Sequence, residues 1–176
     1  MQSGTKLAHY ELLEHIGAGG MGQVWRACDK RLERQVAERT GMRLVRVPGG
    51  SLEGDWLDGY AETLKALASQ LKLDDGDVRP RRVAVIGNLF DRNEGDHEAN
   101  VVELRRMVEG CGGELCSVWL GGGSLSDLYA ARDAGTIVSL PYGRLAARKL
   151  ARQTGAKVVE LPLPFGLDAS ERFCRG

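Results

Sequence analysis

The sequence lacks any unbroken apolar run of about 18 residues, the length a helix needs to cross a bilayer. It also lacks an excess of either charge, with 24 lysines and arginines against 24 aspartates and glutamates. A neutral chain has no electrostatic footprint for nucleic acid or for an anionic membrane surface. The arginine clusters at 79–82 and 144–152 read as surface balanced by nearby acids. The four cysteines (Cys28, Cys111, Cys116 and Cys174) contain no C-x-x-C pair, so the spacing of a zinc site or a dithiol motif is missing. They are expected as isolated reduced thiols, Cys111 in a helix-ending turn and Cys116 inside a strand. The opening residues, MQSGTKLAHYELLEHIG, have no apolar core and no small-residue cleavage site of a secretory signal, which makes a cytoplasmic location the expectation.

What the sequence does have falls into two rhythms that change near residue 37. Over 8–37 the pattern is β-rich. Tyr10–Ile16 and Gln23–Cys28 read as strands around a glycine loop, and Asp29-Lys30-Arg31 as a turn into a third strand ending at Val36-Ala37. Gly17, Gly19, Gly22 and Val24 follow G-x-G-x-x-G-x-V, in which the absence of Cβ atoms lets backbone approach phosphate. On these residues YELLEHIGAGGMGQVWRACDKRLERQVA resembles the first strands of a bacterial Ser/Thr protein kinase. The resemblance implies ATP as ligand of Gly17, Gly19, Gly22 and Val24. The kinase pattern then breaks, because Val36-Ala37 is followed by Glu38-Arg39 where V-A-I-K requires a lysine. No H-R-D loop or D-F-G metal site follows, so the parts that carry phosphoryl transfer are missing.

From residue 38 strands and helices alternate. Leu44–Val47 reads as a short strand ending in Pro48-Gly49-Gly50. A helix is expected over 56–72, where Leu57, Tyr60, Leu64, Leu67 and Leu71 recur every three or four residues on one buried stripe. Arg82–Ile86 is a near-continuous apolar strand of the kind buried on both faces. A helix over 96–110, a strand over Leu115–Leu120, a helix capped by Ser124 with Asp127, a strand over Thr136–Leu140, a helix over 143–154 and a strand over Val158–Leu161 complete the series. This alternation specifies an α/β fold, a Rossmann-like parallel sheet with helices on both faces, here preceded by a short N-terminal β-hairpin. Right-handed crossovers put every strand's carboxyl end on one rim, where such sheets bind ligands. The candidate rim residues are Pro48, Gly49, Gly50, Asn88, Tyr142, Pro164, Phe165 and Gly166. Asp91, Glu94, Asp96, His97 and Glu98 are of metal-ligand type. They lack converging spacing, and acids at a helix start are accounted for by the helix dipole.

Three segments carry a second resemblance. LVRVPGGSLEGDWLDGYAETLKAL, RRVAVIGNLFDRNEGDHEANVVELRRMVEGCGGEL and SVWLGGGSLSDLYAARDAGTIVSLPYGRLAARKLARQTGAKVVELPLPFGLDASERF resemble successive units of the nitrogenase component 1-type oxidoreductases, over about residues 42–175. The most specific piece is the last loop, carried by Leu163, Pro164, Gly166, Ser170 and Phe173. The resemblance implies reductive electron transfer through iron–sulfur clusters, with a paired homologous subunit and an ATP-hydrolysing iron protein as partners. It implies cofactor contact at the rim residues above, without acid–base catalysis by them. In catalytic subunits of that family a cofactor-ligating cysteine ends the strand matched by Thr136–Leu140. Ser139-Leu140-Pro141-Tyr142 stands here, which favours a partner-type or tetrapyrrole-type subunit. The expected layout is an incomplete kinase-like hairpin over 1–37 and a partial nitrogenase-like domain over 38–176, cut at both ends and without independent catalysis. The alternatives are a kinase-related ATP-binding fragment and an inactive α/β domain from a rearranged reading frame. Cys111 and Cys174 are expected at opposite rims, too far apart to share a cluster.

Overall fold

The structure, a computed structural model, describes residues 2–19, 22–32, 54–88 and 95–175, together with positions 35, 39, 45 and 47. Contacts divide the chain into two compact units, Met1–Val45 and Arg46–Gly176.

The first unit is a three-stranded antiparallel sheet, β1 (Lys6–Leu7), β2 (Tyr10–Gly19) and β3 (Gly22–Asp29), in that order. Pairing in the β2–β3 ladder runs from Tyr10 with Asp29 to Gly19 with Gly22, with register shifts between Leu12 and Glu14 and between His15 and Gly17. The turn expected at Lys30-Arg31 is corrected, since residues 30–32 are helical and a strand precedes the hairpin as β1, while the expected strand end at Val36-Ala37 lies outside the described residues. The reason is a cap. The Asp29 carboxylate accepts hydrogen bonds from the amides of Arg31 (2.9 Å) and Leu32 (3.0 Å), as a helix N-cap does.

The second unit is the alternating α/β domain. Its described elements are α1 (Trp56–Gln70), β4 (Arg79–Ile86), α2 (His97–Gly110), β5 (Glu114–Val118), α3 (Leu125–Ala130), β6 (Ala134–Ser139), α4 (Arg144–Thr154), β7 (Lys157–Glu160) and α5 (Leu167–Arg175). Short 3-10 turns, Ala131–Asp133 and Pro141–Gly143, lead into β6 and α4. The four strands are parallel in the order β5-β4-β6-β7. The expected strand Leu44–Val47 falls largely outside the described residues.

Each face of the sheet carries its own core. Ala84 and Ile86 of β4 and Ile137 of β6 pack with Leu64 and Ala68 of α1 and with Ala147 and Leu150 of α4. On the opposite face Val85 and Val138 pack with Leu104, Met107 and Val108 of α2 and with Phe173 of α5. Alternation along β4 therefore feeds both layers, which is why its sequence reads as an unbroken apolar run. The stripe read in α1 points inward, with Leu64 fully buried, Leu71 nearly so, and Tyr60 and Leu67 packed against the same core.

The ends of elements are set by local chemistry. Asp55 caps α1, accepting from the amides of Leu57 (2.8 Å) and Asp58 (3.1 Å). β5 stops two residues before the expected Leu120, because Leu120 takes a positive φ of 55° and Trp119 turns inward to donate its indole N–H to the Leu128 carbonyl (3.1 Å). The capping box before α3 is present, with the Ser124 amide donating to Asp127 Oδ2 (2.5 Å). The arginine clusters are met by acids. Arg82 bridges Glu114 and Asp133, both at 3.1 Å, and Arg144 and Arg148 share Glu160.

Candidate functional site

The strand order decides where this domain can hold something. β4 and β6 are neighbours, the connection after β4 leads to β5 on one side and the connection after β6 leads to β7 on the other, so the chain leaves this pair in opposite directions. The carboxyl ends of β4 and β6 then bound the crevice where sheets of this type bind ligands. Two loops meet there, Gly87-Asn88 after β4 and Leu140–Gly143 after β6.

These loops are locked backbone to backbone. The Leu140 amide continues the ladder by donating to the Ile86 carbonyl at 2.9 Å. Gly87 has φ +90°, and a Cβ on it would stand 2.3 Å from the Gly143 amide nitrogen. A Cβ on Gly143 would in turn stand 2.3 Å from the Ile86 carbonyl oxygen. Only glycine at both positions lets the strands' ends approach this closely.

Asn88 sits at this junction and is nine-tenths buried. Its carbonyl accepts the Tyr60 hydroxyl at 2.5 Å, which ties the first turns of α1 to the end of β4. Burial pushes the Tyr60 phenol well above its ordinary range, so it stays a donor. The Asn88 side-chain Nδ2 is buried and, among the described residues, has no hydrogen-bond partner. Buried polar groups are nearly always paired, so an amide donor left open at a switch point asks for an acceptor beyond the described residues.

The other expected rim residues divide. Tyr142 lies in the 3-10 turn beside Gly143, across the junction from Asn88, and is half-buried. The loop after β7 holds Pro164, Phe165 and Gly166. Ser170 pins it, donating its hydroxyl to the Pro164 carbonyl (3.1 Å) and its amide to the Gly166 carbonyl (3.0 Å). Gly166 is in the left-handed region with φ +77°, and Phe173 is buried beneath the sheet's edge. In this loop Phe165 is 72% exposed and Gly166 is exposed beside it. Pro48, Gly49, Gly50, Asp91 and Glu94 lie outside the described residues. Tyr60 was legible only as a core residue. Its place in the opening turns of a helix that starts at the rim is the signal that marks it as a rim residue. His97 is buried at the start of α2, its imidazole against the Gly122 loop.

The thiols do not fit an iron–sulfur cluster, which takes about four convergent thiolates. Cys28 belongs to the first unit. Cys116 faces inward, its thiol donating to the carbonyls of Val83 (3.3 Å) and Ala130 (3.6 Å). Among the described residues no three of His, Cys, Asp and Glu stand together as a metal site. The expectation that Cys111 and Cys174 lie at opposite rims is corrected. The Cys111 sulfur is 3.5 Å from the Cys174 carbonyl oxygen. The nine residues of α5 span about 13 Å, enough to carry Cys174 from the carboxyl rim to the amino ends of the strands, where α2 also finishes.

Residues 22–176 match the family model of the nitrogenase component 1-type oxidoreductases. The chain belongs to that family. The match begins inside the first unit and takes in β3, upstream of the residue 42 at which the sequence resemblance starts. No curated protein matches the chain. The family match lends no support to the ATP-binding reading of Gly17, Gly19, Gly22 and Val24, of which it covers the last two. Members of the family in general bind iron–sulfur clusters and work with a partner subunit and an iron protein. Among the described residues no helix is long and apolar enough to cross a membrane.

Proposed function

We propose that this chain contributes a Rossmann-like sheet domain to a nitrogenase-like electron-transfer assembly, in which its carboxyl rim positions a cofactor or the subunit that carries it. Clusters are supplied by other chains or other segments, and the domain itself performs no acid–base step. Asn88 offers its amide N–H, while Tyr142 and Phe165 present aromatic surface on the two strands that follow along the rim. Pro48, Gly49 and Gly50 join this reading by sequence alone. The partners are a paired homologous subunit and an ATP-dependent iron protein.

The buried Asn88 Nδ2, unpartnered among the described residues, supports the reading. A donor kept for an external acceptor lowers the stability of the domain alone. Asn88→Leu should therefore unfold in urea with a stability equal to or greater than that of the parent. A loss beyond about 2 kcal/mol would make Asn88 a structural residue and remove the support. The supply of clusters from elsewhere is tested by anaerobic reconstitution with ferrous iron and sulfide. The expected result is no stoichiometric iron. About four irons per chain with a visible charge-transfer band would overturn it.

A further inference from the structure

Two cysteines with no part in the rim meet at the other end of the sheet. Cys111 is the C-cap of α2 and Cys174 lies in the last turn of α5. The Cys111 sulfur stands 3.5 Å from the Cys174 main-chain carbonyl oxygen, and local burial, with the neighbouring Cys174, pushes the Cys111 thiol up. Both residues are exposed, and both line the mouth of an apolar groove of about 290 Å³ floored by Val83, Val108, Val138 and Phe173. Arg106, one turn before the end of α2, is paired with Glu103 at 2.6 and 2.8 Å.

We propose that Cys111 and Cys174 are a reversible redox pair whose disulfide pins α5 to the end of α2 and closes the mouth of the groove. The oxidant is a small disulfide such as oxidised glutathione. The Cys174 thiolate attacks one glutathione sulfur, forming a mixed disulfide and releasing one glutathione thiolate. The Cys111 thiol then gives up its proton and attacks the Cys174 sulfur, forming the internal bond and releasing the second glutathione. Two protein thiols are oxidised to one disulfide and one external disulfide is reduced to two thiols. The Cys111 sulfur already lies beside the Cys174 main chain, and side-chain rotation then brings the two sulfurs to bonding distance. Cys116 is excluded by its inward direction and by a thiol pushed up to about 11 by burial.

The test uses the full chain, equilibrated in glutathione buffers of graded potential, quenched with acid, alkylated and digested with trypsin. The expected product is the peptide 107–132 joined to 173–175, with the intact mass lower by two hydrogens. Cys116→Ser should retain that product. Cys111→Ser and Cys174→Ser should each abolish it and leave a single glutathione adduct on the surviving cysteine. The proposal fails if the wild-type peptides are recovered separately, alkylated or glutathionylated, at every potential. It also fails if the cross-link persists in Cys111→Ser, since Cys116 would then be the partner.

Discussion

Tyr60 donates its hydroxyl proton to the main-chain carbonyl of Asn88 at 2.5 Å, across 28 residues of sequence. This bond joins the start of α1 to the loop that ends β4, and it fixes the floor of the switch-point crevice. Tyr60→Phe keeps the packing and removes the donor, so a loss of about 1–2 kcal/mol is expected by urea denaturation. The same residue sets an alkaline limit. Burial raises the folded-state pKa of Tyr60 above its unfolded value, which is near 10. The folded protein therefore keeps a proton that the unfolded chain loses. The stabilisation is complete below about pH 10 and is lost as pH rises above it, by up to about 1.4 kcal/mol per pH unit. Denaturation curves from pH 8 to 11 should show this decline, and Tyr60→Phe should flatten it.

A methyl group is enough to probe how closely the two rim loops approach. Gly143→Ala puts a Cβ 2.3 Å from the Ile86 carbonyl oxygen, and the obstacle is backbone that cannot rotate away. The expected loss is about 2–4 kcal/mol. Gly155→Ala is the control, since Gly155 has φ +75° with nothing within 4 Å of the added atom. That variant bears only left-handed strain, about 1 kcal/mol. Thermal unfolding of both should rank them in that order, and equal losses would mean that the loops move apart freely.

The parts of this fold that are local were legible in the sequence. The α1 stripe through Leu64 and Leu71, the doubly buried β4 and the Ser124–Asp127 cap each depend on residues within a turn or two of one another. Composition and alternation were enough to state the layers and to name Asn88 as a rim residue. Most of what escaped reading depends on contact between distant segments, and the turn after Asp29 is the local exception. The helical turn after Asp29 competes with a strand of similar propensity, and only the side-chain cap decides it. The Gly87–Gly143 approach joins loops whose glycines look like ordinary turn residues. The meeting of Cys111 with Cys174 needed the length and direction of α5, and these follow from Phe173 being drawn under the sheet rather than from any cysteine spacing.

Burial separates the thiols kinetically. Cys116 donates its S–H to two carbonyls, and burial pushes its thiol up to about 11. At pH 8 its thiolate fraction is roughly two orders of magnitude below that of a free thiol with pKa near 8.5. Timed alkylation followed by cleavage at Glu114, which separates Cys116 from Cys111, should show Cys116 modified much more slowly than exposed Cys174. Comparable rates would mean that the strand bearing Cys116 opens on the labelling timescale.

The buried ring of Phe173 is what holds α5 in place, since this helix reaches the Val85, Leu115 and Val138 core through that one buried side chain. The rest of the helix is largely polar, and the adjoining Leu167 at its start is 91% exposed. Phe173→Ala should therefore cost about 3–4 kcal/mol by removal of a core aromatic. Because α5 packs at the margin of the core and α4 covers the opposite face, part of this loss should appear as local release of the helix. Hydrogen exchange over 167–175 should then accelerate more than over 144–154. In that variant Cys174 should also stand away from Cys111, so the 107–132 to 173–175 cross-link should form at a smaller fraction under the same glutathione buffer. Uniform acceleration of both helices would mean that α5 and α4 open only with the whole domain, and the groove beneath α5 would then have no opening motion of its own.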